Sequence, residues 1–306
     1  MPRSTNPVGR LLLERAIGVA GRRAASPGGL RFTERQLYYE TCRVLRPTPA
    51  PLRRIARTPA PPLRLSRFTE ALRGREPAGL LAAPPAVGTT LGGPVREPDL
   101  HAYGLPRLLV CQDRSIARML LANHVHLEAA CPVLDAEGDL PLDPRLVAAL
   151  ERAGDATVHV LHDASPSGIA LPGRIREALG AARVRVEPLG LVPRHAEALH
   201  LVSGRGPRPV PPLVPLPQGL RPREARWLAA GRFAEVAAAG PAAARRAADR
   251  PRSAAAPPLR PGRTAGAARL RVHDLARRMN GSGTRPRCRR EDRMPGQRRR
   301  PKDGRT

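Results

Sequence analysis

Three pairs of polar residues in the middle of this 306-residue sequence carry side chains that bind divalent cations or move protons. Each pair follows directly after an apolar run. The pairs are Gln112 and Asp113, Asp135 and Glu137, and Asp163 and Ser165. If the apolar runs are parallel strands of one sheet, their carboxyl ends meet at one edge, where the ligands of such sheets bind. Because Mg²⁺ prefers carboxylate oxygens, this arrangement indicates a site for a divalent cation.

The stretch TERQLYYE, residues 33–40, contains a second group that could do chemistry, two adjacent tyrosines. The chain has only three tyrosines in all, and two of them, Tyr38 and Tyr39, stand side by side behind Thr33 and Arg35. A phenol has a pKa near ~10 and needs a cation, base or metal beside it before it reacts at neutral pH. Tyrosines on helices are more often aromatic core or rim residues, and that alternative stays open for both.

The polar pairs are positioned by a regular alternation of apolar runs and amphipathic segments. The pattern predicts four strands, at 107–112, 131–136, 157–164 and 182–191. The amphipathic segments predict three helices, at 115–125, 143–154 (with Asp143 placed as its cap) and 167–180. Strands and helices that alternate at this spacing predict an α/β fold with a parallel sheet.

The tyrosines lie in a different kind of region. Apolar spacing predicts a helix over 8–23, a second that begins behind Thr33 and a third over 65–74. Gly, Pro and Thr residues at 78–94 are typical of turns and edge strands. Arginine-bearing helices followed by a small β element predict a winged-helix-like DNA-binding domain, although any small helical domain can give this pattern.

The charge is distributed unevenly along the chain. The net charge is +27, carried by 52 arginines and one lysine. Residues 1–100 and 241–306 are strongly basic, whereas residues 101–200 hold ten arginines against twelve acidic residues. This distribution suggests a polyanion-binding module attached to a separate globular domain; the alternative is a solvated arginine-rich surface without a partner.

Several classes of protein are not indicated by this sequence. The four cysteines form no CxxC pair, so neither a zinc site nor a disulfide framework is predicted. No leader-like segment or long apolar stretch occurs, which predicts a cytoplasmic chain with no membrane partner. Residues 206–240 are predicted as a Pro-rich connection followed by a helix at 226–240. Residues 241–306 are predicted as a disordered basic tail that is either functional or the product of out-of-frame translation.

Two motifs in this order resemble the A subunit of topoisomerase VI and its meiotic double-strand-break relatives. TERQLYYE resembles the family's Thr-x-Arg-x-x-Tyr-Tyr motif. VLHDASPSGIAL resembles its Asp-x-Asp-Pro-x-Gly segment, with Asp163, Pro166 and Gly168 in place, and LGL at 189–191 resembles the run that follows. The likeness covers about residues 8–202. It implies a winged-helix-like domain at 1–100 and a Toprim-like domain, a small α/β metal-binding fold, at 101–205.

The resemblance also implies roles for individual residues. Tyr39 would attack a DNA phosphodiester and form a 5′-phosphotyrosyl link, and Arg35 would steady the phosphate. Mg²⁺ would lie at Asp163, with weaker candidates in Asp113, Gln112, Ser165 and Glu137. The predicted DNA contacts are Arg31, Arg43, Arg53 and Arg54. The family further implies a homodimer, because the metal normally comes from the partner's Toprim domain. It also implies association with the nucleoid and an ATPase on a separate polypeptide.

Two departures from the family pattern concern the metal site. Gln112 stands where the family has a glutamate, and Ser165 stands where it has a second aspartate. Losing two of three carboxylates weakens a site for Mg²⁺. Three functions therefore stay open: a DNA-cleaving transesterase that uses Tyr39, a DNA-binding or dimerisation scaffold without catalysis, and a metal-dependent nuclease that uses the acids alone.

Overall fold

A four-stranded parallel sheet forms the centre of the protein. The computed structural model describes residues 7–47, 49, 54–82, 104–207 and 220–248, all of which belong to one compact unit, Met1–Thr264. The strands are β1 (Arg107–Cys111), β2 (Val133–Asp135), β3 (Thr157–Leu161) and β4 (Arg185–Pro188). Their order in the sheet is β2-β1-β3-β4, and every pair is parallel. The predicted parallel α/β fold is confirmed, while the winged-helix and Toprim identities stay predictions.

The apolar runs form strands because both faces of the sheet are covered. Leu109 and Cys111 contribute to one hydrophobic cluster, whereas Leu108 and Val110 contribute to the other. Successive side chains of a strand point to opposite faces, so a strand buried on both faces has to be continuously apolar.

Helices follow the strands as the alternation predicts. They are α4 (Arg114–Ala122), α5 (Val125–Glu128), α6 (Pro144–Arg152), α7 (Pro166–Leu179) and α8 (Pro193–Ala198). Asp143 caps α6 as predicted, accepting a hydrogen bond from the Arg145 N–H. The predicted helix 115–125 is interrupted, because the Asn123 amide donates to the carbonyl oxygens of Met119 and Arg31 and ends α4.

Three helices precede the sheet and share its core. They are α1 (Pro7–Ala24), α2 (Glu34–Leu45) and α3 (Leu65–Leu72), close to the predicted bounds. The Thr33 hydroxyl accepts from the Gln36 N–H, and the Gln36 side chain accepts from the Thr33 N–H, so the predicted cap of α2 is a capping box. Of the predicted turn and edge-strand region 78–94, Leu80 makes a β-bridge to Phe32, and residues 83–94 lie outside the described residues.

The predicted helix at 226–240 is wrong in its second half. Helix α9 spans Pro222–Ala229, and the chain then turns at Gly231, whose φ of +70° is a conformation that favours glycine. Strand β6 (Arg232–Phe233) follows and pairs antiparallel with β5 (Gly204–Arg205). A 3-10 turn, Val236–Ala239, packs against α2. Tertiary contacts thus override the helical spacing.

The start of the predicted disordered tail is also ordered. Residues Pro241–Ala248 form helix α10, in which Ala243, Ala244 and Ala248 are buried. Small side chains let this helix pack closely against the 3-10 turn and α4, and Arg245 forms an ion pair with Glu128. The rest of the predicted tail, 249–306, lies outside the described residues. Across the residues that are described, no helix is long and apolar enough to cross a membrane.

Candidate functional site

A cavity of about 310 Å³ lies where α2 meets the carboxyl ends of the strands. It is lined by Arg35, Gln112, Asp113, Ser115, Glu137, Asp163 and Glu235. Arg35 and four of the five predicted metal-site residues therefore converge within one chain. The lining contains four carboxyl groups and only one guanidinium, so the cavity is acidic.

Gln112 links the ends of β1 and β3. Its side-chain oxygen accepts a hydrogen bond from the Asp163 N–H at 2.8 Å, and its amide nitrogen lies 3.5 Å from the Ser167 hydroxyl. A glutamate at this position could accept the first bond but, when ionised, could not donate to the serine. Gln112 therefore joins two strand ends and does not serve as a charged ligand.

Asp163 is held by the backbone and tends to keep its proton. Its Oδ1 accepts a hydrogen bond from the Val236 N–H at 2.6 Å. Burial raises the pKa of this carboxyl to about 7, and the negative charges of Glu235 and Asp113 add to that rise. The Val236 N–H and the Arg35 guanidinium act in the opposite direction. A large fraction of Asp163 is consequently uncharged near neutral pH.

Ser165 does not line the cavity. Its hydroxyl caps α7 by accepting a hydrogen bond from the Gly168 N–H at 3.1 Å. The N–H groups of Glu137 and Gly138 donate to Asp135, which shapes the loop after β2. Ser165 and Asp135 therefore have local structural roles here, while Glu137 faces the cavity.

The motif glycine Gly168 allows a close approach of three segments. A Cβ on this residue would lie 2.4 Å from the Asp163 carbonyl oxygen and 2.5 Å from the Gln112 side-chain oxygen. Both distances are far below a van der Waals contact, so any side chain would push β1, β3 and α7 apart. The glycine thus has a packing reason that is independent of catalysis.

A site for Mg²⁺ requires several free hard oxygens in near-octahedral geometry. One Asp113 oxygen accepts from the Ser115 N–H, one Asp163 oxygen from the Val236 N–H, and the Gln112 oxygen from the Asp163 N–H. Within the described ranges, no three histidine, cysteine or acidic residues are grouped so that they could hold a metal ion. In this arrangement the residues do not fit Mg²⁺. The binding of the metal stays a prediction.

The two tyrosines of α2 are both buried. Tyr39 is only 3% exposed, and burial raises the pKa of its phenol far above its usual value. The negative charge of Glu235 raises this pKa further, while Arg35 lowers it. The Tyr38 hydroxyl donates to the Leu63 carbonyl at 2.7 Å, as a core tyrosine would.

Arg35 already has an anionic partner inside the protein. Its Nε donates to Glu235 Oε2 at 2.7 Å and its Nη2 donates to Glu235 Oε1 at 2.5 Å. The side chains are 36% and 13% exposed, respectively. Glu235 therefore occupies the Nε–Nη2 edge of the guanidinium that the family resemblance assigns to a phosphate. The sequence gives no signal for this contact, because Glu235 is 200 residues away and lies inside a segment predicted as helix.

Residues 232–240, here named the C-terminal strap, connect β3 to α2. Ala164 and Ala234 exchange two backbone hydrogen bonds, of 2.9 and 3.1 Å. Arg43 donates to the Ala238 carbonyl oxygen from the other side. Together with the contacts of Asp163 and Glu235, these bonds fix the strap beside Tyr39, which belongs to the same hydrophobic cluster as Val236 and Ala237.

The predicted DNA-contacting arginines are in different environments. Arg43 is bound to Glu40 and to the strap, which leaves it little freedom to contact a phosphate. Arg31 and Arg54 are exposed, and the Arg31 backbone is fixed by Asn123. Arg53 lies outside the described residues.

Comparison with known proteins identifies no relative: no family model, curated protein or solved structure matches this chain.

Proposed function

We propose that this chain is a DNA-binding protein related in architecture to the topoisomerase VI A subunit, and that it acts as a binding scaffold without cleaving DNA through Tyr39. The observation that carries the second half of the proposal is the burial of Tyr39. A nucleophilic tyrosine must reach a phosphorus atom and lose its proton, whereas this phenol is 3% exposed and its pKa is raised.

The pairing of Arg35 supports the same conclusion. A phosphate that bound the Nε–Nη2 edge of Arg35 would first have to displace a bidentate carboxylate, one of the strongest arrangements available to arginine. The acidic lining of the cavity would also repel a phosphodiester.

The charge of the N-terminal helices supports DNA binding. The described residues between 7 and 82 include fourteen arginines and five acidic residues. Arginines that neutralise phosphates release condensed counterions from DNA, which favours binding at low salt. Residues 104–200 have no such excess, and the described residues 220–248 have a smaller one of six arginines against two acidic residues. The N-terminal helices therefore hold the largest excess of positive charge in the described chain.

Two measurements on the full chain test this proposal. Fluorescence anisotropy with labelled duplex DNA should show binding that weakens steeply with salt, equally for the wild type and Tyr39→Phe. A denaturing gel with Mg²⁺ or Mn²⁺ should show no protein linked to the 5′ end of the DNA. Failure to bind duplex DNA at low salt would refute the DNA-binding half, and a Tyr39-dependent adduct would refute the scaffold half.

A second candidate, the transesterase, is favoured by one observation, the convergence of Arg35 with Asp113, Glu137 and Asp163 at one cavity beside α2. In that reaction the Tyr39 phenol gives up its proton and its oxygen bonds to phosphorus, the bond from phosphorus to the 3′ oxygen breaks, and the released 3′ oxygen takes up a proton to become a hydroxyl. The strap would have to move first. An adduct that forms with Glu235→Ala but not with the wild type would favour this candidate. The homodimer and the separate ATPase subunit belong to this candidate as proposals.

A further inference from the structure

The surface of α1 that faces the segment after α3 carries arginines in a defined arrangement. Arg10 Nε lies 3.1 Å from Glu14 Oε1, and Arg75 Nη2 lies 2.8 Å from Glu14 Oε2. The two arginine side chains are 73% and 45% exposed, and Glu14 is only 20% exposed. The Glu14 carboxylate thus holds the guanidinium groups of Arg10 and Arg75, which come from different segments, side by side. Much of each arginine side chain stays exposed to solvent.

A third arginine extends this row toward the end of α1. The Arg22 side chain folds back along the helix, because its Nη1 lies 3.9 Å from the position of a Cβ on Gly18. Farther along, a Cβ on Gly21 would lie 3.4 Å from Pro77. The segment after α3 therefore runs beside α1 from Glu14 to Gly21. Arg10 and Arg75 lie at its start, and Arg22 follows Gly21 on α1. We name these three residues the basic ridge; on α1 it spans about 18 Å.

Helix α2 cannot supply the phosphate contacts that its sequence suggests. Arg35 is paired with Glu235, and Arg43 with Glu40 and the strap. The side chains of Arg35 and Arg43 are 36% and 33% exposed, and their ion pairs occupy part of each guanidinium. Among the described residues of the N-terminal helices, the more exposed arginines are therefore better placed to contact DNA than Arg35 and Arg43.

We propose that the basic ridge of α1 and the segment after α3 is the surface that contacts the phosphate backbone of duplex DNA. This inference rests on the proposed DNA binding and adds its location. Three guanidinium groups, two on α1 and one on the adjacent segment, match a row of phosphates in charge, and Glu14 holds two of them in place before the DNA binds. Contacts of this kind position a protein on the duplex without reading its sequence.

The test measures duplex-DNA affinity by anisotropy over a range of salt concentrations. The triple substitution Arg10→Gln, Arg22→Gln and Arg75→Gln should reduce the slope of log K against log salt by about 2.7, since each phosphate contact contributes about 0.9. The loss of affinity should accordingly be about 40-fold larger at ~50 mM than at ~200 mM salt. Circular dichroism checks that the variant is folded.

Two matched variants decide what a loss would mean. The control triple Arg145→Gln, Arg174→Gln and Arg176→Gln removes the same charge from exposed positions on α6 and α7 and should leave the slope nearly unchanged. The triple lysine variant of the ridge should keep most of the slope, because it keeps the charge. An equal loss in the control, or in the lysine variant, would overturn the ridge as a phosphate-binding surface.

Other outcomes separate this inference from the function on which it rests. If the wild type does not bind duplex DNA at all, the proposed function fails. If it binds DNA and the ridge variant binds with an unchanged slope, the location fails and the function stands. Because Leu11 and Leu12 on α1 are exposed, phosphatidylserine–phosphatidylcholine vesicles are a competitor. Ridge-dependent binding to these vesicles without binding to DNA would overturn the proposal in favour of a membrane surface.

Discussion

Replacing Glu235 by glutamine would test whether the ion pair between α2 and the C-terminal strap stabilises the described fold. The substitution keeps the shape of the side chain and one acceptor oxygen but removes its charge. Deleting one partner of a fully buried pair costs about 3–5 kcal/mol, and an exposed pair contributes about 0–1 kcal/mol. Because the Arg35 side chain is 36% exposed and Glu235 is 13% exposed, we expect a loss of about 2 kcal/mol in the free energy of unfolding.

The assay is urea unfolding followed by circular dichroism, with a double-mutant cycle of Glu235→Gln and Arg35→Gln. Both single variants should be destabilised, and the double variant should lose clearly less than the sum, since the interaction can be lost only once. A loss of about 2 kcal/mol lowers the melting temperature by about 4–8 °C in a protein of this size. Glu177→Gln, at an exposed position on α7, serves as the control and should have little effect.

Additive losses in the cycle would show that Arg35 and Glu235 do not stabilise each other, and that this ion pair does not hold the strap to α2. The same variant has a second readout in the ultraviolet titration of tyrosine. Without the carboxylate, the pKa of Tyr39 should fall, because one of the charges that raises it is gone and Arg35 remains. It should stay above that of free tyrosine, since burial is the larger cause.

Three further substitutions have defined outcomes. The raised pKa of Asp163 means that the folded protein holds a proton that the unfolded chain releases. Protonation of this group therefore stabilises the fold below about pH 4, and the effect is lost as the pH rises through about 7. In urea unfolding, Asp163→Asn should therefore have a free energy of unfolding about 2 kcal/mol above that of the wild type at pH 8, but not at pH 4. In a thermal melt, Gly168→Ala should lower the free energy of unfolding by about 1–3 kcal/mol, because the added Cβ overlaps atoms at the strand ends. Gly173→Ala on the same helix is the control and should be neutral or stabilising, because a Cβ at that position meets nothing. Tyr38→Phe should lose about 1–2 kcal/mol with its buried hydrogen bond yet leave DNA affinity unchanged, and a large change in affinity would contradict its assignment to the core.

The parallel sheet could be predicted because local patterns determine it. Continuously apolar runs such as Leu108–Cys111 can be stable only when both faces are covered, and Asp143 and Thr33 satisfy helix ends through residues a few positions away. The convergence of Gln112 and Asp163 follows from the rule that parallel strands place their carboxyl ends at one edge.

The strap could not be predicted, because its structure depends on distant residues. The alanine-rich spacing between Trp227 and Gly240 is equally compatible with a helix, whereas contacts with Asp163, Ala164 and α2 accompany the extended backbone at Ala234 and Glu235 and the 3-10 turn that follows. Likewise, the alanines of α10 become a core face only because the 3-10 turn lies beneath them. The motif around Tyr39 is local and can be recognised in the sequence, but the accessibility of the phenol depends on the distant strap. Whether Tyr39 reacts with DNA therefore stays a prediction.

The distance along the chain between Arg35 and Glu235 has a consequence for the nascent protein. Ribosomes add about 5–20 residues per second, so Glu235 emerges about 10–40 s after Arg35. During that interval α2 has no strap, the guanidinium of Arg35 lacks this carboxylate, and the phenol of Tyr39 lacks the apolar neighbours Val236 and Ala237. The region around Tyr39 is consequently among the last parts of the described chain to close during synthesis.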